Sequence, residues 1–504
     1  MKTKKTILNF ITDVIPLVLL SFLGIYKVKL FLQVLGSDTL GLYQLFNNIM
    51  VYVALVDGGL TSALLYSLYK PNSNGDNKKI NELLSAGLSV FSKIGMYVFS
   101  IATIVSFFVI FLIKDAPFSY FYVVITFLLF ALSNVIEYFF VPYNVILEVK
   151  EKKYLYNLIT QIGQIAISII EIILLLLGVE FAYILLSHSI VRLITKIIEV
   201  YVCKREFPWI NVHEQKKDYS FKKFLNSLIF HKVNGLVGGN VDSIIISSFL
   251  GLGSVAIFST YHYIINMLRN ILGKIASSMT AFIGNSLEKD GKRMYKIFME
   301  INSMLFFIAI VISIPLFLSI NGFISMFYNG EIETSISIAL ACSLVLFIYL
   351  IKMPATIYAN AGGLYKETKH CVMIDTIVNL SLSIGLVFLF GIAGVLFATF
   401  LSAFISEYIL KTRVIYRHIF HTSSKGFFLC NIKFFIIAII DLGLCYSVTS
   451  LFTINNLFIW FLFFSILTII NAIVILWIFS LLGEIDFIER FKSLFRNNVN
   501  VETK

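Results

Sequence analysis

Charge is what this sequence has least of. Only 14% of its 504 residues are Asp, Glu, Lys or Arg, where a soluble domain carries about a quarter. That shortage excludes a water-soluble globular fold. Cysteine is scarce as well, with five residues: Cys203, Cys342, Cys371, Cys430 and Cys445. Their spacing matches no metal-ligand pattern and they do not gather in outside loops. Neither a metal centre nor a disulfide framework is expected. Short alternating strands are missing, which excludes a transmembrane β-barrel. No nucleophile–base cluster or phosphate loop is present, and no outside loop is large. An enzyme acting on lipid-linked sugars is therefore not expected, and no cofactor is implied. The first apolar run, about Ile7 to Val34, is too long for a cleavable signal and lacks a small-residue cleavage site.

What is there is apolar. Hydrophobic residues make up 58% of the chain and mean hydropathy is +0.89. Apolar runs of about 20 residues, the length that spans a bilayer, recur from end to end. The expected fold is an all-α polytopic membrane protein of about 14 transmembrane helices. Residues 1–202 would form an amino-terminal lobe of helices one to six, and 203–223 a basic cytoplasmic linker. Residues 224–415 would form a second lobe of helices seven to twelve, and 416–504 two extra helices and a tail. The net charge of +11 does not imply nucleic acid. Most Lys and Arg fall in segments assigned to the cytoplasm, and only Lys114 in an outside loop, with both termini inside.

One stretch, Phe230 to Lys274, organises the rest. Two apolar runs meet at Leu250-Gly251-Leu252-Gly253 and carry Lys232, Asp242, Arg269 and Lys274. An ionised group at the bilayer centre costs a few kcal/mol at least, so such groups face protein, a partner or water. The turn has an echo: Leu250-Gly251…Val255-Ala256-Ile257-Phe258 falls on Leu35-Gly36…Leu40-Gly41-Leu42-Tyr43, and Gly178 with its apolar flanks on Gly391. The first copy also carries charge, at Lys27, Lys29 and Asp57. Internal duplication with a site between the repeats is how many secondary transporters are built.

Counting depth along the helices sets Lys27 level with Asp242, and Asp57 level with Lys232. Pairing at those levels is the plain reading, with Lys27 and Lys29 also able to snorkel outward. Yet five cations (Lys27, Lys29, Lys232, Arg269, Lys274) face two carboxylates (Asp57, Asp242). Arg269 stands out as deep and always protonated, with His262 and Asn266 on its face. Asn48 shares a helix face with Gln44 and Tyr52. A positively biased cavity wants an anion, and a guanidinium fork suits phosphate. Asp57, Asp242, Glu137 and His262 are candidates for a coupling ion. Helices five and six carry facing polar stripes, with Glu171 level with His188 and Gln164 near Arg192. They read as a structural ladder, or alternatively as an ion relay.

Two motifs carry a family resemblance. Leu35-Gly36-Ser37-Asp38-Thr39-Leu40-Gly41-Leu42-Tyr43, followed by Val56-Asp57-Gly58-Gly59-Leu60, resembles the amino-terminal signature of bacterial Wzx-type polysaccharide flippases. Asn240-Val241-Asp242-Ser243-Ile244-Ile245-Ile246, with Leu250-Gly251 and Phe258-Ser259-Thr260-Tyr261, resembles the start of their second lobe. Those proteins belong to the multidrug/oligosaccharidyl-lipid/polysaccharide exporter superfamily, and the likeness covers roughly residues 7 to 415. It implies two six-helix lobes in a V around a central cavity, working by alternating access in the bacterial plasma membrane. The implied substrate is an undecaprenyl-pyrophosphate-linked oligosaccharide, whose headgroup cavity cations would handle. Arg269 matches such a position, and Lys27 or Lys29 stands where helix one would contribute. Helices thirteen and fourteen would form a groove for the lipid tail. Implied partners are membrane lipid, a polysaccharide polymerase and export machinery. One departure is that the helix-one cations are lysines near its outer end, which puts their direct headgroup contact in doubt. The alternative is an ion-coupled multidrug exporter of the same superfamily, whose cavity should be anionic; the five-to-two charge count argues against it.

Overall fold

Lipid offers the backbone no hydrogen-bond partners, so an apolar chain must satisfy its own amides, and a helix does this locally. The computed structural model describes residues 2–54, 59–212, 216–221, 241–284, 291–452 and 456–484, and every regular element among them is helical. Ten of these helices are long and apolar enough to cross a membrane. The chain is a multi-pass membrane protein of the all-α class.

The helices in order are α1 (Lys2–Val53), α2 (Leu60–Ser73), α3 (Asn77–Val109), α4 (Tyr120–Val135), α5 (Val141–Val149), α6 (Lys153–Leu176) and α7 (Phe181–Glu206). Then come α8 (Val241–Leu250), α9 (Leu252–Gly284), α10 (Gly291–Phe327), α11 (Ile336–Ile351), α12 (Met353–Ala361) and α13 (Tyr365–Ala403). Two π-helical segments, Phe404–Leu410 and Tyr416–Phe420, flank α14 (Lys411–Ile415), and α15 (Lys425–Thr449) and α16 (Leu457–Leu481) close the series. Starts are written in the sequence. Asp76 accepts a hydrogen bond from Lys79 N at 2.9 Å, and Asn456 accepts from Phe458 N and Ile459 N. Each satisfies amides that the first helical turn leaves open.

Two long helices are interrupted. Gly36 in α1 and Gly391 in α13 have φ of 80° and 56°, outside helical values. The Tyr365–Phe420 span of 56 residues would reach about 84 Å if straight, against a hydrocarbon core of about 30 Å. It must turn back, and Gly391 is where it does. The turns expected from the echo share this conformation: Gly36 pairs with Gly251 (φ 87°), and Gly178 (φ 68°) with Gly391. The left-handed region admits glycine freely and penalises residues with a Cβ.

The chain forms two compact units, Met1–Ser259 and Thr260–Lys504. Within the first, the two echoed turns touch. A Cβ on Gly41 would lie 2.1 Å from the Leu252 carbonyl oxygen, so only glycine permits the approach. Ser247 Oγ donates to Leu112 O at 2.6 Å, and Lys114 N to Ser247 O at 3.0 Å, fixing α8 beside the end of α3. The described part of 203–223 also packs on this unit. Asn81 Nδ2 donates to Trp209 O at 3.1 Å, and Lys79 lies 2.8 Å from Asp218. In the second unit an aromatic cluster including Phe298, Tyr358, Tyr416 and Phe427 ties α10, α12, the second π segment and α15 together.

Candidate functional site: two buried carboxylates and two cavities

In the first unit the charges expected on helices one, five and six converge. Lys27 Nζ on α1 lies 3.1 Å from Glu171 Oε2 on α6. His188 Nε2 on α7 lies 3.1 Å from the same oxygen, as the level-counting of helices five and six anticipated. Glu171 is fully buried, and the Tyr43 ring lies 5.7 Å from the Lys27 ammonium. Depth counting had offered Asp242 for Lys27. Depth, however, does not fix which way a side chain points around its helix, and α1 turns this lysine toward α6.

Further along α7, Arg192 donates to Ser133 O and Asn134 Oδ1, each at 3.2 Å, and lies 3.8 Å from Glu137. Gln164, expected near it, is exposed instead. Lys196 and Glu199 form a buried pair at 3.0 Å. Beside these groups is a cavity of about 400 Å³ lined by Asn47, Asn134, Glu137, Asn144, Glu148 and Tyr156 among others. Both charged residues of its lining are carboxylates. Glu148 pairs with Lys153 at 2.9 Å and Glu137 with Arg192, and neither cation is part of the lining.

Of the other expected residues in this unit, Asn48 Nδ2 donates to Ser243 Oγ at 3.0 Å, joining α1 to α8. Asp242 is buried and Lys29 half-buried. Asp57 and Lys232 lie outside the described residues.

The second unit is arranged differently. The Arg269 guanidinium on α9 sits over the Tyr349 ring of α11 at 5.0 Å, and its Nη2 donates to Val345 O at 3.4 Å. Tyr349 returns the contact, its hydroxyl donating to Arg269 O at 3.3 Å. His262 is half-buried, while Asn266 and Lys274 are exposed. Helical spacing sets His262, Asn266 and Arg269 on one face, and neighbouring helices cover His262 and Arg269 more than Asn266.

Tyr349 forms part of a cavity of about 590 Å³ lined also by Thr280, Lys352, Thr356, Asn360 and Tyr365. Lys352 sits at the α11–α12 junction, where Pro354 breaks the helical ladder. Its Nζ is 3.9 Å from Glu407 Oε2, and that carboxylate makes a closer pair with Lys411. Glu407 lies in the Phe404–Leu410 π segment and is buried. Lys352 has no role in the sequence analysis. A cation before a proline within an apolar helix was the signal available; the convergence of four helices around it was not.

No protein-family model matches this chain, and no curated protein matches it in sequence. Solved structures do match in fold. The lipid II flippase MurJ, in an inward-closed conformation, superposes with a TM-score of 0.70 at 20% identity over 96% of this chain and 100% of that one. An inward-facing multidrug resistance MATE family transporter of the MOP superfamily gives 0.64 at 14% identity over 78% of this chain and 94% of that one. A MATE protein in a bent conformation gives 0.51 at 15% identity, over 79% and 93%. The fold of this chain is the one shared by these flippases and transporters.

Proposed function

We propose that this protein is a flippase for lipid-linked oligosaccharides. It moves undecaprenyl-pyrophosphate-linked repeat units from the inner to the outer leaflet of the bacterial plasma membrane for surface polysaccharide synthesis. A polymerase and export machinery would take the product onward. The observation that carries this reading is Arg269: a permanently charged fork within an apolar helix, oriented by a ring face and a backbone carbonyl. Guanidinium suits the geometry of a phosphate better than any other side chain. The likeness in fold to a lipid II flippase is in keeping with a lipid-borne substrate. Alternating access then requires that the headgroup bind the inward- and outward-open states with different energies. Arg269→Ala should abolish export of surface polysaccharide with protein level unchanged. Export at the wild-type level would overturn Arg269 as the headgroup residue.

One observation favours a second reading. The first-unit cavity presents Glu137 and Glu148, the sign expected for an organic cation or for a coupling cation. An ion-coupled multidrug exporter would use such a wall. Drug sensitivity of a deletion strain separates the two: unchanged sensitivity with lost polysaccharide supports the flippase.

A further inference from the structure

The second-unit cavity has walls from α9, α11, α12 and α13, and its volume of about 590 Å³ falls within the range of about 300–1,000 Å³ typical of ligand sites. Lys352 is the one charged residue of its lining, and no carboxylate is among the lining residues. We propose that this cavity is a subsite for the phosphorylated end of the substrate, with Lys352 as the phosphate anchor. This deepens the flippase reading and rests on it for the identity of the lipid.

The charge arrangement is the first reason. Two lysines share one buried carboxylate, Glu407, and they share it unequally. Lys411 makes the close pair, and Lys352 stands off at 3.9 Å. Asp375 also acts on Lys352, from further off, so the cluster sets two carboxylates against two ammonium groups, and Lys411 holds the close contact. An anion in the cavity would give Lys352 a close partner of its own. The Lys352 ammonium can also turn into the cavity without leaving Glu407 alone, because Lys411 stays.

Shape is the second. Gly273 and Ala276 of α9 give the wall small residues, and a Cβ on Gly273 would lie 3.0 Å from the Tyr349 hydroxyl. The Tyr349 ring is fixed in place, since Arg269 covers it and its hydroxyl is bonded to the Arg269 carbonyl. Tyrosine rings are flat apolar surfaces with a polar edge, and Asn360 adds an amide with both donors and an acceptor. A lysine, two tyrosines and an amide suit a sugar joined to phosphate. The cavity also reaches Tyr365, next to the α12–α13 turn. By the distribution of basic residues that turn lies on the cytoplasmic side, where the substrate would be loaded.

The test uses the full-length protein in lipid nanodiscs. A cysteine is placed in the wall as Thr356→Cys, with the exposed native thiol removed as Cys430→Ser, and its labelling by a water-soluble maleimide is timed. Inorganic pyrophosphate and undecaprenyl diphosphate are the probes, and undecaprenol is the uncharged control. At least a ten-fold slowing is expected with one or both phosphorylated probes, lost in Lys352→Gln and kept in Lys352→Arg. Slowing by pyrophosphate assigns the site to the phosphates alone. Slowing by undecaprenyl diphosphate only assigns it to the lipid-borne headgroup. No protection, equal protection by undecaprenol, or protection that survives Lys352→Gln overturns the subsite. Unliganded labelling rates equal across the variants confirm that each has folded. Loss of export in Arg269→Ala reports on the flippase reading separately, so the two can fail independently.

Discussion

Within the helices of each unit a buried carboxylate lies between two basic side chains, and the two clusters balance differently. In the first, Glu171 is shared by Lys27 and His188. In the second, Glu407 is shared by Lys352 and Lys411. An imidazole can donate a hydrogen bond while neutral, so the first cluster can close with no charge left over. Two ammonium groups on one acid cannot, and the second cluster draws on Asp375 from further off. The cavities follow the same division: carboxylates face the first and an ammonium faces the second. A cation tied to a carboxylate behind a wall holds helices together. A cation whose carboxylate already has a closer partner is available to a ligand.

Substitutions can break that contrast, and the largest effect should come from the carboxylates. Glu407→Ala takes the close acid from buried Lys411 and leaves half-buried Lys352 beside it. It should cost at least the ~3–5 kcal/mol typical of breaking a buried pair, and more than Glu171→Ala, in thermal melting of the detergent-solubilised protein. Equal losses would mean that the two clusters hold their acids alike. A smaller effect comes from Gly41→Ala, whose new methyl meets a backbone oxygen. Overpacking of this kind costs about 1–3 kcal/mol. Gly443→Ala, with open space around it in α15, should instead stabilise by about 0.4–1 kcal/mol. If the two variants melt alike, the tight contact of the echoed turns is not a feature of the folded first unit.

The smallest effect lies outside the membrane. Burial tends to raise the Asp218 carboxyl, but hydrogen bonds from Lys79 and Ser220 outweigh it and hold the group below its usual range. A carboxyl lowered by folding contributes stability that is present above its unfolded pKa of about 3.9. That contribution is lost as pH falls through the lower folded value. Lys79 is 41% exposed, so solvent screening keeps the pair to about 1 kcal/mol or less. The melting difference between wild type and Asp218→Asn should therefore be small at pH 7 and vanish in strong acid.

Much of the architecture was legible because lipid leaves a chain few choices. Apolar runs have to be helices, and the glycines at 36, 178, 251 and 391 mark turns where a Cβ would be penalised. The Glu171–His188 meeting was legible too, since both lie at known distances from one tight turn at Gly178. The partner of Lys27 was not, because depth along a helix says nothing of direction around it. Lys352 escaped for another reason: its cavity needs α9 to meet the consecutive helices α11 to α13, and one sequence does not reveal that meeting. Asp57 and Lys232, paired by depth alone, fall outside the described residues.

The Phe404–Leu410 segment is wound as a π-helix, which holds an extra residue per loop of hydrogen bonds compared with an α-helix. Rewinding it would shift the register by one residue and swing everything downstream by about 100°. Lys411 follows it directly, so such a swing would carry that ammonium off Glu407 and hand the acid to Lys352. A change of pitch in one short piece of backbone would thus decide which lysine the acid holds, and whether the cavity keeps its charge.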